Sequence, residues 1–197
     1  MPDQDAQPRP AIFFDRDDTL IACRTVTPDG DLGDPALVQL LPGALEACRA
    51  LKRAGYFLAV VSNQGGVARG KYGLDQVGAC NDRLNELLEH AIDAFRFCPY
   101  HPSGTVCGMS REHPWRKPAP GMLLDIAQHH HIDLARSWMI GDAERDVEAG
   151  LAAGCRAIRV AASPDEPTRA HHRASTLSEA ASIILDPVAR PIIGVLR

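Results

Sequence analysis

The chain has 197 residues, of which 45% are hydrophobic and 23% charged, and its formal net charge is -4 at pH 7. That length can bury a substantial core, and the composition is that of a globular protein. Mild acidity argues against a general nucleic-acid or membrane surface, since both need a basic face, but it leaves room for small phosphorylated ligands that need only a local positive pocket.

Residues 1–10 are polar and proline-rich and lack the apolar stretch of a signal peptide, so a disordered tail is expected ahead of a single domain over 11–197. Residues 11–14 are a short apolar run ending in acids, the pattern of a buried strand. Residues 45–54 follow Pro42-Gly43 and stop at Gly55, which predicts a helix. The continuous apolar and β-branched run 56–62 reads as a strand covered on both faces. Within 74–94, the residues Leu84, Leu87, Leu88, Ala91 and Ile92 form a stripe at helical spacing. Residues 98–120 are irregular and rich in Pro, Gly and His. Helices at 121–130 and 144–153 alternate with strands at 138–140 and 157–160, and 182–185 reads as a late strand. No apolar run approaches the roughly twenty residues of a membrane span. Strands alternating with helices predict an α/β fold around a central, mostly parallel sheet.

Ligands of such sheets bind at the carboxyl ends of the strands, near a topological switch point. Reactive groups do follow the strands here: Asp15-Arg16-Asp17-Asp18-Thr19, then Ser62-Asn63-Gln64, then Arg116-Lys117-Pro118 after the irregular segment, then Gly141-Asp142 with Asp146 four residues on. One aspartate after a strand commonly caps a helix. Several stacked at strand ends repel one another unless a cation or a proton compensates. A lysine and a hydroxyl among them suggest phosphoryl transfer, in which hard carboxylate oxygens suit Mg2+ and a second aspartate can donate and then accept a proton.

The four segments, in this order across residues 11–160, resemble the four motifs of the haloacid dehalogenase (HAD) superfamily. That resemblance implies a three-layer Rossmann-like fold, and the absence of a long insertion between motifs agrees with members that lack a large cap domain. It implies a phosphomonoesterase with Asp15 as nucleophile forming an aspartyl-phosphate, Asp17 as general acid and base, and Ser62 and Lys117 holding the phosphoryl oxygens. Mg2+ would be held by Asp15, the backbone carbonyl of Asp17 and Asp142, with Asp146 in support. The longer strings over 13–20, 62–71 and 116–122 are similar to the branch that contains heptose bisphosphate and histidinol-phosphate phosphatases. A small phosphorylated metabolite is therefore the expected partner. Heptose 1,7-bisphosphate losing its 7-phosphate comes first; histidinol phosphate or another sugar phosphate is the alternative. Arg116 would contact it, with Asn63, Gln64 and Arg69 beside it and Lys71 and Arg16 adding positive charge. A phospho-accepting signalling domain is the alternative from another class; Asp17, two residues after Asp15, argues for turnover instead.

The chain also departs from that branch. Position 18 is Asp where Gly is frequent, and position 143 is Ala where Lys is frequent. The branch commonly carries a zinc loop, whose positions here read Cys98, Tyr100, His113 and Trp115; a shifted set, Cys98, His101, Cys107 and His113, could still hold Zn2+ tetrahedrally. The alternative is a metal-free loop packed on Trp115. The six cysteines follow no framework spacing, so reduced thiols and a cytoplasmic location are expected, with no nucleic-acid or membrane partner and a monomeric state.

Overall fold

The computed structural model describes residues 7–160 and 167–186. Six strands form one sheet: β1 (Ala11–Phe14), β2 (Phe57–Asn63), β3 (Ala94–Cys98), β4 (Trp138–Gly141), β5 (Arg156–Val160) and β6 (His172–Ala174). Around it lie α1 (Ala44–Arg53), the one-turn α2 (Gly65–Ala68), α3 (Leu74–Leu87), α4 (Gly121–His130), α5 (Glu144–Ala152) and α6 (Leu177–Leu185). The strand order is β3-β2-β1-β4-β5-β6, and every pairing is parallel. The chain builds outward from β1 to β3, returns to place β4 against the other side of β1, and builds outward again. The switch point therefore lies between β1 and β4, where the amide of Asp15 donates to the carbonyl of Ile140 at 2.9 Å.

The alternation of side chains along each strand makes the three layers. Ile12 and Phe14 join Leu58, Val60, Ile140 and residues of α1 and α6 on one face; Ala11 and Phe13 join Ala59, Val61, Met139 and residues of α4 on the other. Both faces are apolar and covered, which is why the strands read as continuous hydrophobic runs. The connection over 15–43 and the irregular segment 99–120 contain no element larger than the 3-10 turn Pro35–Leu37, so nothing like a large cap covers the strand ends among the described residues. Among the described residues, no helix is long and apolar enough to cross a membrane.

Three segments differ from the sequence reading. The apolar run 182–185 belongs to a helix: Thr176 Oγ1 accepts from the amide of Glu179, the Glu179 carboxylate accepts from the amide of Ser175, and Leu177, Ala180, Ala181 and Ile184 bury one face at helical spacing. The stripe read as a helix over 74–94 stops at Leu87, and the chain re-enters the sheet as β3. The expected tail falls partly on residues 1–6, outside the described residues, but Arg9 pairs with Ile132 and stacks its guanidinium 4.6 Å from the centre of the Phe57 ring.

Candidate active site

Asp15 follows β1, Ser62 lies near the end of β2, and Asp142 follows β4, so three strand ends converge on the switch point. Lys117 reaches it from the segment before α4. The lysine side chain is fully buried; Nζ donates to Asp15 Oδ1 at 2.6 Å and to the carbonyl of Val61 at 2.7 Å, and lies 2.8 Å from Asp146 Oδ1. Burial opposes the charge, but Asp146 and Asp15 outweigh it and hold the ammonium above the ordinary lysine pKa. Asp146 has a second duty. Its Oδ2 accepts from the amide of Ala143 at 3.1 Å and so caps the start of α5. It fits only because β4 ends in glycine: a Cβ on Gly141 would lie 2.4 Å from Asp146 Cβ.

Asp15, Asp142 and Asp146 each bring one carboxylate oxygen to within 4.8 Å of the others. Burial, then the charges of Asp15 and Asp146, push the Asp142 carboxyl up to about 6. Burial and the neighbouring Asp15 raise Asp146 as well, against the pull of Lys117. Asp142 Oδ1 is buried and without a hydrogen-bond partner among the described residues. Crowded acids, raised proton affinities and an orphaned buried oxygen are what a divalent cation relieves. The all-oxygen donor set fits Mg2+.

The other expected residues divide. Asp17 turns from the triplet: Arg16 Nε donates to its Oδ1 at 3.0 Å and Gln64 Nε2 to its Oδ2 at 2.8 Å. The same Gln64 amide donates to Ser62 Oγ at 2.6 Å, and its carbonyl oxygen accepts from Arg16 and from the Tyr72 hydroxyl. Gln64 is thus buried and fully engaged, tying Ser62 to Asp17. Arg16, read from the sequence as adding positive charge for the substrate, has no exposed surface and binds Asp17, Asn81 and the Leu32 carbonyl instead. Asn63 faces the chain as well. Its amide nitrogen donates to the carbonyl of Lys117 and its amide oxygen accepts from the Lys117 amide, at 2.9 and 3.0 Å. Arg69 and Lys71 pair with Asp31, which they hold against the loop 65–71.

Arg116 is half-buried; its Nη1 donates to the Tyr100 carbonyl at 3.2 Å. Burial, with the nearby charges of Arg145 and Arg69, keeps its pKa below the ordinary arginine value. Arg145, in the first turn of α5, is a cation the motif reading missed, because it lies inside a motif whose aspartates alone carry the pattern. Arg24 was missed for a different reason: it is remote in sequence, yet its Nη1 donates to Asp142 Oδ2 at 3.2 Å.

The four residues considered for zinc are not brought together. Among the described residues, the cluster whose ligand atoms converge is the aspartate triplet. His101 and His113 each use Nδ1 to accept a nearby backbone amide, Cys98 is buried and Cys107 exposed. The loop is packed instead. The Tyr100 ring stacks on His113 with centroids 4.4 Å apart, Arg111 lies 4.3 Å from the Tyr100 centroid, and Trp115 stands edge-on to His113.

A family model described as HAD-hydrolase-like matches residues 114–187. The D-glycero-beta-D-manno-heptose-1,7-bisphosphate 7-phosphatase of Rhodopseudomonas palustris is 40% identical over 154 residues, which cover 77% of this chain and 83% of that protein. The chain belongs to the HAD-like hydrolases. A D-glycero-D-manno-heptose-1,7-bisphosphate 7-phosphatase of Thermosynechococcus vestitus is 41% identical over 160 residues, 78% of this chain and 79% of that protein. The crystal structure of the D,D-heptose 1,7-bisphosphate phosphatase from B. bronchiseptica, complexed with magnesium and phosphate, superposes with a TM-score of 0.73 at 29% identity, covering 89% of this chain and 98% of that one. This HAD-like hydrolase is a phosphatase, a phosphoric monoester hydrolase acting on a small phosphorylated metabolite.

Proposed function

We propose that this phosphatase removes the 7-phosphate of D-glycero-D-manno-heptose 1,7-bisphosphate through an aspartyl-phosphate on Asp15, working as a single domain from residue 11 onward. The observation that carries the mechanism is the meeting of Asp15, Lys117, Asp142 and Asp146 at the switch point. The names of the relatives above support the substrate.

In this reading Asp15 attacks phosphorus with one carboxylate oxygen, forming the O–P bond as the ester P–O bond breaks. Asp17, oriented by Arg16 and Gln64, gives a proton to the departing alkoxide and later takes one from the water that hydrolyses the acyl phosphate. Ser62 Oγ and the Lys117 ammonium hold the equatorial phosphoryl oxygens, Lys117 yielding one of its contacts to the incoming anion. Asp15 and Asp142, with the Asp17 carbonyl, would hold Mg2+, which would supply the positive charge that screens phosphate from carboxylate. The Asp146 carboxylate keeps Lys117 charged and in place.

Phosphate release is to be measured over a panel of phosphorylated sugars with added Mg2+. Heptose bisphosphate should lead the panel, and Asp15→Asn should abolish turnover without unfolding the protein, because an amide cannot attack phosphorus. Full activity of Asp15→Asn would sink the mechanism, whereas a clear preference for another phosphate ester would sink only the substrate.

A further inference from the structure

Arg24 leaves the loop after β1 and lies across the mouth of the carboxylate triplet. Its Nη1 donates to Asp18 Oδ2 at 2.6 Å and to Asp142 Oδ2 at 3.2 Å. The anchor is built into the backbone. Asp18 sits in the left-handed region at φ 56°, which aspartate tolerates better than most residues, and its Oδ1 accepts from the amides of Cys23 and Arg24. One carboxylate therefore closes the 18–24 loop and grips the guanidinium that the loop presents.

This grip uses a single nitrogen. Nε and Nη2 make no hydrogen bond among the described residues, and the side chain is 55% exposed. Those two groups form one edge of the guanidinium, the edge whose parallel N–H bonds match two oxygens of a phosphate. The phosphoryl group being removed belongs lower down, among Asp15, Ser62 and Lys117, all buried. A half-exposed arginine above them faces whatever part of the substrate protrudes from the strand ends.

We propose that Arg24 is a specificity-determining residue, binding through Nε and Nη2 an anionic group of the substrate other than the phosphoryl being transferred, namely the second phosphate of a sugar bisphosphate. The proposal rests on the bisphosphate reading above. It goes beyond it in assigning the role to Arg24 and to the Asp18 anchor.

Steady-state kinetics of the full chain with Mg2+ compare an aldoheptose 1,7-bisphosphate with an aryl phosphate, which has no second anion. Arg24→Ala should lower kcat/KM for the bisphosphate by about ten- to a hundredfold, the usual worth of a charge-assisted contact, and leave the aryl phosphate within about threefold. Arg24→Lys should recover part of the loss, and Asp18→Asn should show the same selectivity at smaller size. Equal losses on both substrates would mean that Arg24 serves Asp142 or the transferred phosphoryl, and would overturn the proposal, as would an unchanged rate on the bisphosphate. A wild-type enzyme with no preference for the bisphosphate would overturn the substrate reading and this proposal together.

Discussion

Lys117 shows how a side chain can be both fully buried and charged. Its ammonium has lost water completely, but a carbonyl and two carboxylates replace the solvent shell, and removing any one of them would leave a buried charge underserved. Its backbone is fixed just as tightly by Asn63, which the sequence placed among substrate contacts. Two neutral hydrogen bonds of this kind contribute about 1–3 kcal/mol. Asn63→Ala should therefore slow turnover of any phosphomonoester by roughly ten- to a hundredfold in kcat, with KM little changed. A raised KM with kcat preserved would instead return Asn63 to the substrate.

At the scale of elements, the segment between β3 and α4 must hold Arg116 and Lys117 in place without a regular backbone. The stack of Arg111, Tyr100, His113 and Trp115 supplies that stiffness, and the Tyr100 carbonyl takes the Arg116 guanidinium directly. Aromatic and cation–π pairs of this type are each worth about 0.5–1.5 kcal/mol. Tyr100→Ala should lower Tm and loosen amide protection over 98–116, whereas a chelator should leave that protection unchanged. Elemental analysis should find no stoichiometric zinc. One zinc per chain, lost in Cys98→Ser, would restore a metal loop and demote the stack to a bystander.

For the whole molecule, the parallel sheet with its order reversal gathers acids that would stay apart in an extended chain, and that has a cost. A carboxyl whose pKa is raised on folding favours the folded state only while it stays protonated, so this contribution is complete below the unfolded value of 3.8 and is lost as pH climbs through about 6 for Asp142. Asp146 moves in the same direction. A cation that takes over from the proton should then stabilise the protein more at high pH than at low. The rise in Tm on adding Mg2+ should be small at about pH 5 and larger at about pH 7.5, and Asp142→Asn should flatten the difference. A shift independent of pH would show that Mg2+ binds elsewhere.

The sequence by itself determined the layered α/β class and the strand ends that carry reactive groups, because both are written in contiguous residues: covered strands as unbroken apolar runs, motifs as short strings after them. Periodicity was weaker where two signals competed, and the apolar 182–185 became a helix because a cap at Thr176 began one. What each polar side chain does was decided by the tertiary structure. Asn63 meets Lys117 across 54 positions and Arg24 meets Asp142 across 118, and no local pattern records such pairs. Arg16 and Gln64 looked like site residues from their neighbours in the chain and became supports once buried beside Asp17. A charged or amide group takes its role from the partner that replaces its water, and that partner is chosen by the fold.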